Sequence, residues 1–346
     1  PGINYITDST TLTLINTYPI LNGTDVEVRY LPYTGEIAAS TPTGPTSTQA
    51  QGSISGYTTG GRLSSGNNSN TIDKFSFTSD ANATDVGELT QVKQDSAGQS
   101  STTHGFASGG LSGTNRTSNI ERFSFSNFNG AFTVANLSNQ ERRGGAGQSS
   151  TTHGYTSGGD RFNGTVNVID KFSFSATAGA VDIANLSQSR VFSSGQSSTT
   201  HGYTSGGLQP IGSDTIDKFS FSSDTDATDV GEITQRKGGV AGQSSAIHGY
   251  ISGGRAALNF YGSVANVIEK FPFSSDVNTT DISDLTQARY ELTGQSSTTH
   301  GYSSGGGQDY EDAISTIDKF TFSSDENATD VGELTVARRA ASGQQV

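Results

Sequence analysis

The sequence predicts an all-β fold, a six-bladed β-propeller of four-stranded antiparallel blades, on three observations. The word GQSSTTHGYTSGG at 147–159 returns unchanged at 195–207, with near-copies at 98–110, 242–254 and 294–306. Gly-Gly pairs stand at 60–61, 109–110, 158–159, 206–207, 253–254 and 305–306, spaced 47 to 52 residues apart, and an acidic–basic–Phe triplet follows each. Helical periodicity is nearly absent, because Gly, Ser and Thr interrupt every window that would carry it. A period near 50 with four short stretches per unit describes a radial array.

Within a unit the elements follow in order. AGQSS is the first strand, STTH a turn, and HGYTSGG the second strand. IDKFSFS is the third, its two Phe at i and i+2 sharing one face. TDVGEL is the fourth. The blades are expected at about 49–97, 98–146, 147–194, 195–241, 242–293 and 294–342. GQ recurs at Gly98, Gly147, Gly195, Gly242, Gly294 and Gly343, so the first Gly-Gly pair lacks a GQ before it and the last GQ lacks a Gly-Gly pair after it. A C-terminal strand at 343–346 is therefore expected to complete blade one and leave no open edge. Residues 49–53 are the alternative for that strand.

Residues 1–48 do not repeat. TLTLINTYPI and VEVRYLPY alternate like strands, and TGEIAASTPTGPTSTQA reads as a linker. So small a segment with few apolar groups is expected to attach to a partner chain or to continue an upstream domain.

Composition excludes several classes. The net charge of −13 leaves no basic footprint for nucleic acid or an anionic membrane surface. No apolar run approaches the roughly 18–20 residues of a membrane helix, so neither nucleic acid nor membrane insertion is expected. The chain has no Cys, which removes disulfides, thiolate metal sites and cysteine nucleophiles. No signal pattern is visible, Met is absent, and the chain starts PGINYIT, so a processed product or a piece of a longer protein is expected.

The pattern Arg142…AGQSSTTHGYTSGG…NVIDKFSF, repeated over 49–346, resembles the kelch repeat. The Trp that the family places in the fourth strand is missing, with Val or Ile and Leu in that region. The dialect GQSSTTHGYTSGG with IDKFSFSSDANATDVGELT is similar to repeats in tail-fibre and structural proteins of marine bacteriophages. That resemblance implies a virion or extracellular appendage and contact with a host.

The residues that look chemical read mostly as architecture. His104, His153, His201, His248 and His300 share one repeat position, with Ser55 in the first unit. Catalysis needs different groups converging on one reacting atom, so these His are expected to hydrogen-bond an adjacent blade or turn. The loops with Asp80 and Asp85, with Asp224, Asp226 and Asp229, with Asp276 and Asp281, and with Asp325 and Asp330 share the spacing Asp-x-Asn/Asp-x-x-Asp. Hard oxygen ligands this close are candidates for Ca²⁺. Against calcium, no glycine marks a tight calcium loop, and blades two and three (NFNGAFT, ATAGAVD) lack the pattern. Asp and Asn also cap turns by bonding their own backbone. Turn chemistry is preferred, and no cofactor is expected.

The acid of each triplet is expected to be buried against the base that follows each fourth strand: Lys93, Arg142, Arg190, Arg236, Arg289 or Arg338. Sequons at Asn82, Asn136, Asn163, Asn185, Asn278 and Asn327 fall mostly at equivalent turns. A copper radical oxidase on a kelch scaffold would need a Cys. A sialidase-like Asp box would need a Gly and an aromatic that SSDANATDVG does not supply.

Comparing the units shows where they stop agreeing. The turns STTH and SSDANATD scarcely vary, whereas the loops after each Gly pair and before each GQ do. Meander topology puts both variable sets on one face, which is how a recognition surface on a rigid scaffold looks. The candidate binding residues there are Arg161, Phe162, Arg255, Phe260, Tyr261, Asp309, Tyr310, Glu311 and Asp312. The expected function is non-enzymatic: an appendage propeller that binds a host-surface glycan or protein, carried in a homo-oligomer whose other subunits meet the N-terminal segment. A structural decoration or spacer is the alternative. A glycan-cleaving enzyme is weaker, because only Asp309, Glu311 and Asp312 cluster.

Overall fold

The computed structural model describes residues 4–8, 11–15, 51–138, 141–256, 262–309 and 312–346. The chain divides into two units, Pro1–Gly44 and Pro45–Val346. In the first, Asn4–Asp8 and Thr11–Ile15 pair antiparallel, Asn4 opposite Ile15 and Asp8 opposite Thr11. The NYITD strand went unnoticed in the sequence, and the expected VEVRYLPY strand lies outside the described residues.

The second unit is a six-bladed β-propeller. Blade two is Ala97–Ser100, His104–Ser108, Asn119–Ser124 and Phe132–Asn136, an antiparallel meander from the axis outward. Blades three to six repeat it. Blade one takes its inner strand from the C-terminus: Ser342–Gln345 pairs with Ser55–Thr59, with Gly56 opposite Gln345 and Thr59 opposite Ser342. The alternative strand does not form there. Gly52 instead bridges Ser297 of blade six in parallel, and the carbonyl of Val346 accepts from the amides of Ser53, Ile54 and Ser55.

Each letter of the repeated word has a packing reason. The Gly of GQ stands on the axis, where six inner strands converge. A Cβ on Gly147 would collide with the Gly98 carbonyl oxygen, one on Gly195 with that of Gly147, and so on around the ring to Gly98 against Gly343. The following Gln clips blade to blade. Gln99 Nε2 donates to the Tyr155 carbonyl at 2.9 Å, Gln295 to that of Tyr57 at 3.0 Å, and Gln344 to that of Phe106 at 2.9 Å. The Ser after Gln accepts from the backbone of the preceding blade, as Ser149 Oγ does from the Ser100 amide. In HGY, Gly154 lies under the Phe172 ring of its own blade, leaving no room for a Cβ.

The core is divided into clusters shared between neighbouring blades. Tyr57 stacks on Phe125 of blade two at 4.8 Å, Tyr155 on Phe221 at 4.8 Å, and Tyr302 of blade six on Phe77 of blade one at 4.7 Å, closing the ring. Such pairs add about 0.5–1.5 kcal/mol each beyond buried area.

The expected inter-blade ion pairs form at every junction: Lys93–Glu121, Arg142–Asp170, Arg190–Asp217, Lys237–Glu269, Arg289–Asp318 and Arg338–Asp73, at 2.6 to 3.0 Å. One base is corrected. Lys237, not Arg236, enters the fourth junction, and Arg236 instead makes an exposed pair with Asp214 at 3.0 Å. Each acid also caps the end of the preceding blade. Asp73 accepts from the Thr335 amide and hydroxyl, and Asp318 accepts from those of Thr286. Burial pushes the Asp170 and Asp217 carboxyls upward against the pull of Arg142 and Arg190. These pairs therefore hold the blades only while both partners are present.

Candidate functional site

The recurrent His do not converge. His104, His153, His201 and His300 each place Nδ1 2.8 Å from the hydroxyl of the preceding Thr in their own turn. Ile247 stands in that place before His248. Burial first, and then Lys171, hold His153 below its ordinary value.

The acidic loops are staples whose three positions reach three different partners. Asp80, Asp224, Asp276 and Asp325 pair with Lys319, Lys171, Lys218 and Lys270 of the preceding blade at 2.6 to 3.1 Å. At the middle position, Asn82, Asp226, Asn278 and Asn327 accept from backbone amides of that same blade. At the last, Asp85, Asp229 and Asp330 accept from the amide two residues on; Asp281 holds the equivalent place in blade five. Among the described residues no three His, Asp or Glu are grouped to hold a metal ion.

The expectation that variation stays on one face needs correction. In blades four, five, six and one the outer strand opens Thr-Asp and ends in Glu or Asp; in blades two and three it reads FTVAN and VDIAN. Among the described residues no acidic side-chain staple forms at those two blades, although the backbone bonds from Ala131 N to Glu88 O and from Ala180 N to Asn136 O remain. Lys74 instead sits 5.2 Å from the Phe128 ring centre, Arg122 sits 4.8 Å from Phe132, and Phe132 and Val181 are exposed.

On the variable face the predicted residues are scattered. Phe162 is 91% exposed, with the Arg116 guanidinium 6.0 Å from its ring centre. Arg161 is half-buried beside it in the Asp160–Arg161 strand. Arg255 lies 3.8 Å from the Tyr290 ring centre. Asp309 and Asp312 are exposed, and the Asp309 carbonyl accepts from the Tyr290 hydroxyl at 3.3 Å. Phe260, Tyr261, Tyr310 and Glu311 lie outside the described residues.

The best-organised feature on this face was missed. Three residues before each axial Gly, the chain takes a positive φ of 53° to 66°, at Asp95, Gly144, Phe192, Gly239, Glu291 and Ala340. Their amides form a closed ring: Asp95 N donates to Ala340 O, Gly144 to Asp95, Phe192 to Gly144, Gly239 to Phe192, Glu291 to Gly239 and Ala340 to Glu291, at 2.7 to 2.8 Å. Large and small residues alternate, and two of the large side chains, Phe192 and Glu291, lie over their small neighbours. A Cβ on Gly144 would meet the Phe192 Cδ1 at 3.0 Å, and one on Gly239 would meet the Glu291 Cγ at 3.5 Å. Left-handed backbone is sterically costly for non-glycine residues, yet Asp95, Phe192, Glu291 and Ala340 are held in it.

Two polar chains run from the rim loops to this mouth. Asp160 takes Arg116 at 2.5 Å and Arg143 at 3.3 Å, and Arg143 reaches Asp95 at 3.2 Å. On the other side Arg339 pairs with Glu291 at 3.5 Å and donates to the Tyr290 hydroxyl, under the Arg255 guanidinium. Burial, then Asp95, push the Glu291 carboxyl up to about 7. Burial also raises Asp95.

The geometry defines the chain as a six-bladed β-propeller with a closed, asymmetric axial mouth on one face. No protein-family model matches the chain, and no curated protein is similar to it.

Proposed function

We propose that this protein is a non-enzymatic binding module, a kelch-like propeller carried on a virion or other extracellular appendage, whose variable face binds a host-surface glycan or protein. The observation that carries the reading is the contrast between junctions and loops. The buried pair, the Gln clip and the aromatic stack recur around the ring, whereas the loops after each Gly-Gly pair and, apart from the junction base, those before each GQ differ from blade to blade. A scaffold fixed this tightly, with its most divergent loops gathered on one face and only blades two and three differing on the other, is suited to recognition. The resemblance to appendage repeats supplies the setting, and the segment before the propeller supplies the attachment, with homo-oligomerisation raising avidity.

The test is binding of the full chain to cells or envelope extracts of candidate hosts, beside a full-length variant whose loops 255–267 and 307–316 are replaced by the blade-two loop. Loss of binding in the variant supports recognition by this face. Absence of binding by both, presented multivalently, overturns it in favour of a decoration or spacer. Release of reducing sugar from envelope glycans overturns the non-enzymatic reading.

A further inference from the structure

At the junction of blades three and four, two acids two residues apart serve two groups of blade three. Asp224 pairs with Lys171 at 3.1 Å, and Asp226 accepts from the Asn185 amide at 2.9 Å. Blade two presents the same two groups. Arg122 lies across from Phe132 as Lys171 lies across from Val181, and Asn136 ends its outer strand as Asn185 does. The loop arriving from blade three keeps its backbone bond, Ala180 N to Asn136 O, as Ala227 N keeps its bond to Asn185 O at the next junction. It brings Thr177 and Gly179, however, where the next loop brings Asp224 and Asp226.

The receiving groups are therefore kept and the acids are not. Among the described residues Arg122 has no acidic partner, and its guanidinium lies 4.8 Å from the Phe132 ring centre. No side chain there accepts from the Asn136 amide. A Cβ on Gly179 would meet the Asn136 carbonyl oxygen at 3.6 Å and nothing else within 4 Å, so a side-chain-sized group fits beside that amide. Burial first, and then Arg122, hold His104 below its ordinary value with no carboxylate pulling back, whereas Asp224 pulls His153 back up. Beside the cation, Phe132 and Val181 are exposed. The junction of blades one and two also lacks both acids, but there Phe128 stands in the aspartate's place with Lys74 5.2 Å from its ring centre.

A guanidinium and a backbone N–H, set where the sibling junction receives two carboxylates, select the same chemistry from outside the chain. We infer that the junction of blades two and three docks an acidic segment of a partner polypeptide, with carboxylates spaced as in Asp-x-Asp on Arg122 and the Asn136 amide and an apolar side chain against Phe132 and Val181. This surface lies away from the variable loops, so the inference goes beyond the reading above.

The probe is a synthetic peptide of the chain's own blade-four loop, SSDTDATDV, titrated into the ¹⁵N-labelled full chain. The Asn136 amide resonance is expected to shift, less so as salt is added, with affinity about tenfold weaker for Arg122→Gln. The peptide with Asn in place of its first two Asp should not shift it. Thr177→Asp with Gly179→Asp supplies both acids within the chain, so this double variant is expected to melt no lower than the parent and to stop binding the peptide. An unshifted Asn136, or equal binding by the folded double variant, overturns the inference. A response to heparin but not to the peptide overturns the choice of polypeptide. The loop-replaced chain should bind the peptide as the parent does, which separates this surface from the variable face.

Discussion

Lys93 Nζ lies 2.9 Å from Glu121 Oε1 at the junction of blades one and two, while the next junction joins Arg142 to Asp170 at the same distance. Across the ring, Lys faces Glu at two junctions and Arg faces Asp at the other four. The longer acid meets the shorter base, so the combined reach is preserved. Glu121→Asp should therefore leave the buried Lys93 ammonium short of its partner and cost about 3 kcal/mol, as breaking a buried pair does. Adding Lys93→Arg should restore most of the loss. Urea unfolding of both singles and the double gives the coupling energy, and simple additivity would refute the matching.

The two bases that end the fourth blade should behave oppositely. Lys237→Ala strands Glu269 inside the junction, with an expected loss of about 3–5 kcal/mol. Arg236→Ala removes an exposed pair with Asp214 and should cost under about 1 kcal/mol. Equal losses in thermal unfolding would contradict the assignment.

The Arg236 error shows what the sequence carried. The blade count, the strand order and the closing strand were legible because the same words recur and a missing GQ at one end matches a spare one at the other. Which base enters a junction depends on register. Lys93, Arg190, Lys237, Arg289 and Arg338 each stand four residues after the Leu or Ile that follows the outer strand, and that count would have found Lys237. The mouth left a fainter trace, the Asp, Gly, Phe, Gly, Glu, Ala series three residues before each axial Gly. Nothing local says that these amides close a ring, since Phe, Glu and Ala disfavour the backbone it needs. The pairs that tie Arg143 and Arg339 to it cross between blades.

Closure by the C-terminus predicts an outsized effect from a small truncation. Removing 342–346 deletes the inner strand of blade one, the Gln344 clip to Phe106 and the carbonyl that caps Ser53 to Ser55. The freed edge of Ser55–Thr59 would be an open pairing surface. The truncated chain is expected to lose near-UV dichroism and to aggregate on size exclusion. A monomer with unchanged unfolding would argue against a closed ring.

The axial glycines are expected to tolerate no side chain. A Cβ on Gly147 meets backbone of blade two rather than a movable side chain. Gly147→Ala must then spread two inner strands apart, and should cost more than the roughly 1–3 kcal/mol typical of overpacking. Thermal melting of the full chain measures it, and a loss below that range would mean the axis has slack.

The mouth should make stability fall with rising pH over a defined window. Glu291 sits near 7 in the folded chain, against an ordinary value of 4.5, pushed up by burial and by Asp95 and held back by Arg339, Arg62 and Arg255. Asp95 is shifted in the same direction. Between about 4.5 and 7 the folded chain therefore binds more protons than the unfolded chain, so stability declines as pH rises through that interval and levels off above it. Glu291→Gln keeps an acceptor for Arg339 but cannot ionise. Its melting temperature should gain on the parent steadily from pH 4.5 to 7 and keep a constant lead beyond, with a ceiling of about 3 kcal/mol from the size of the shift. Parallel curves over that range would show that Glu291 ionises in the mouth without penalty. A narrowing gap would show that its charge, held by Arg339, stabilises the ring.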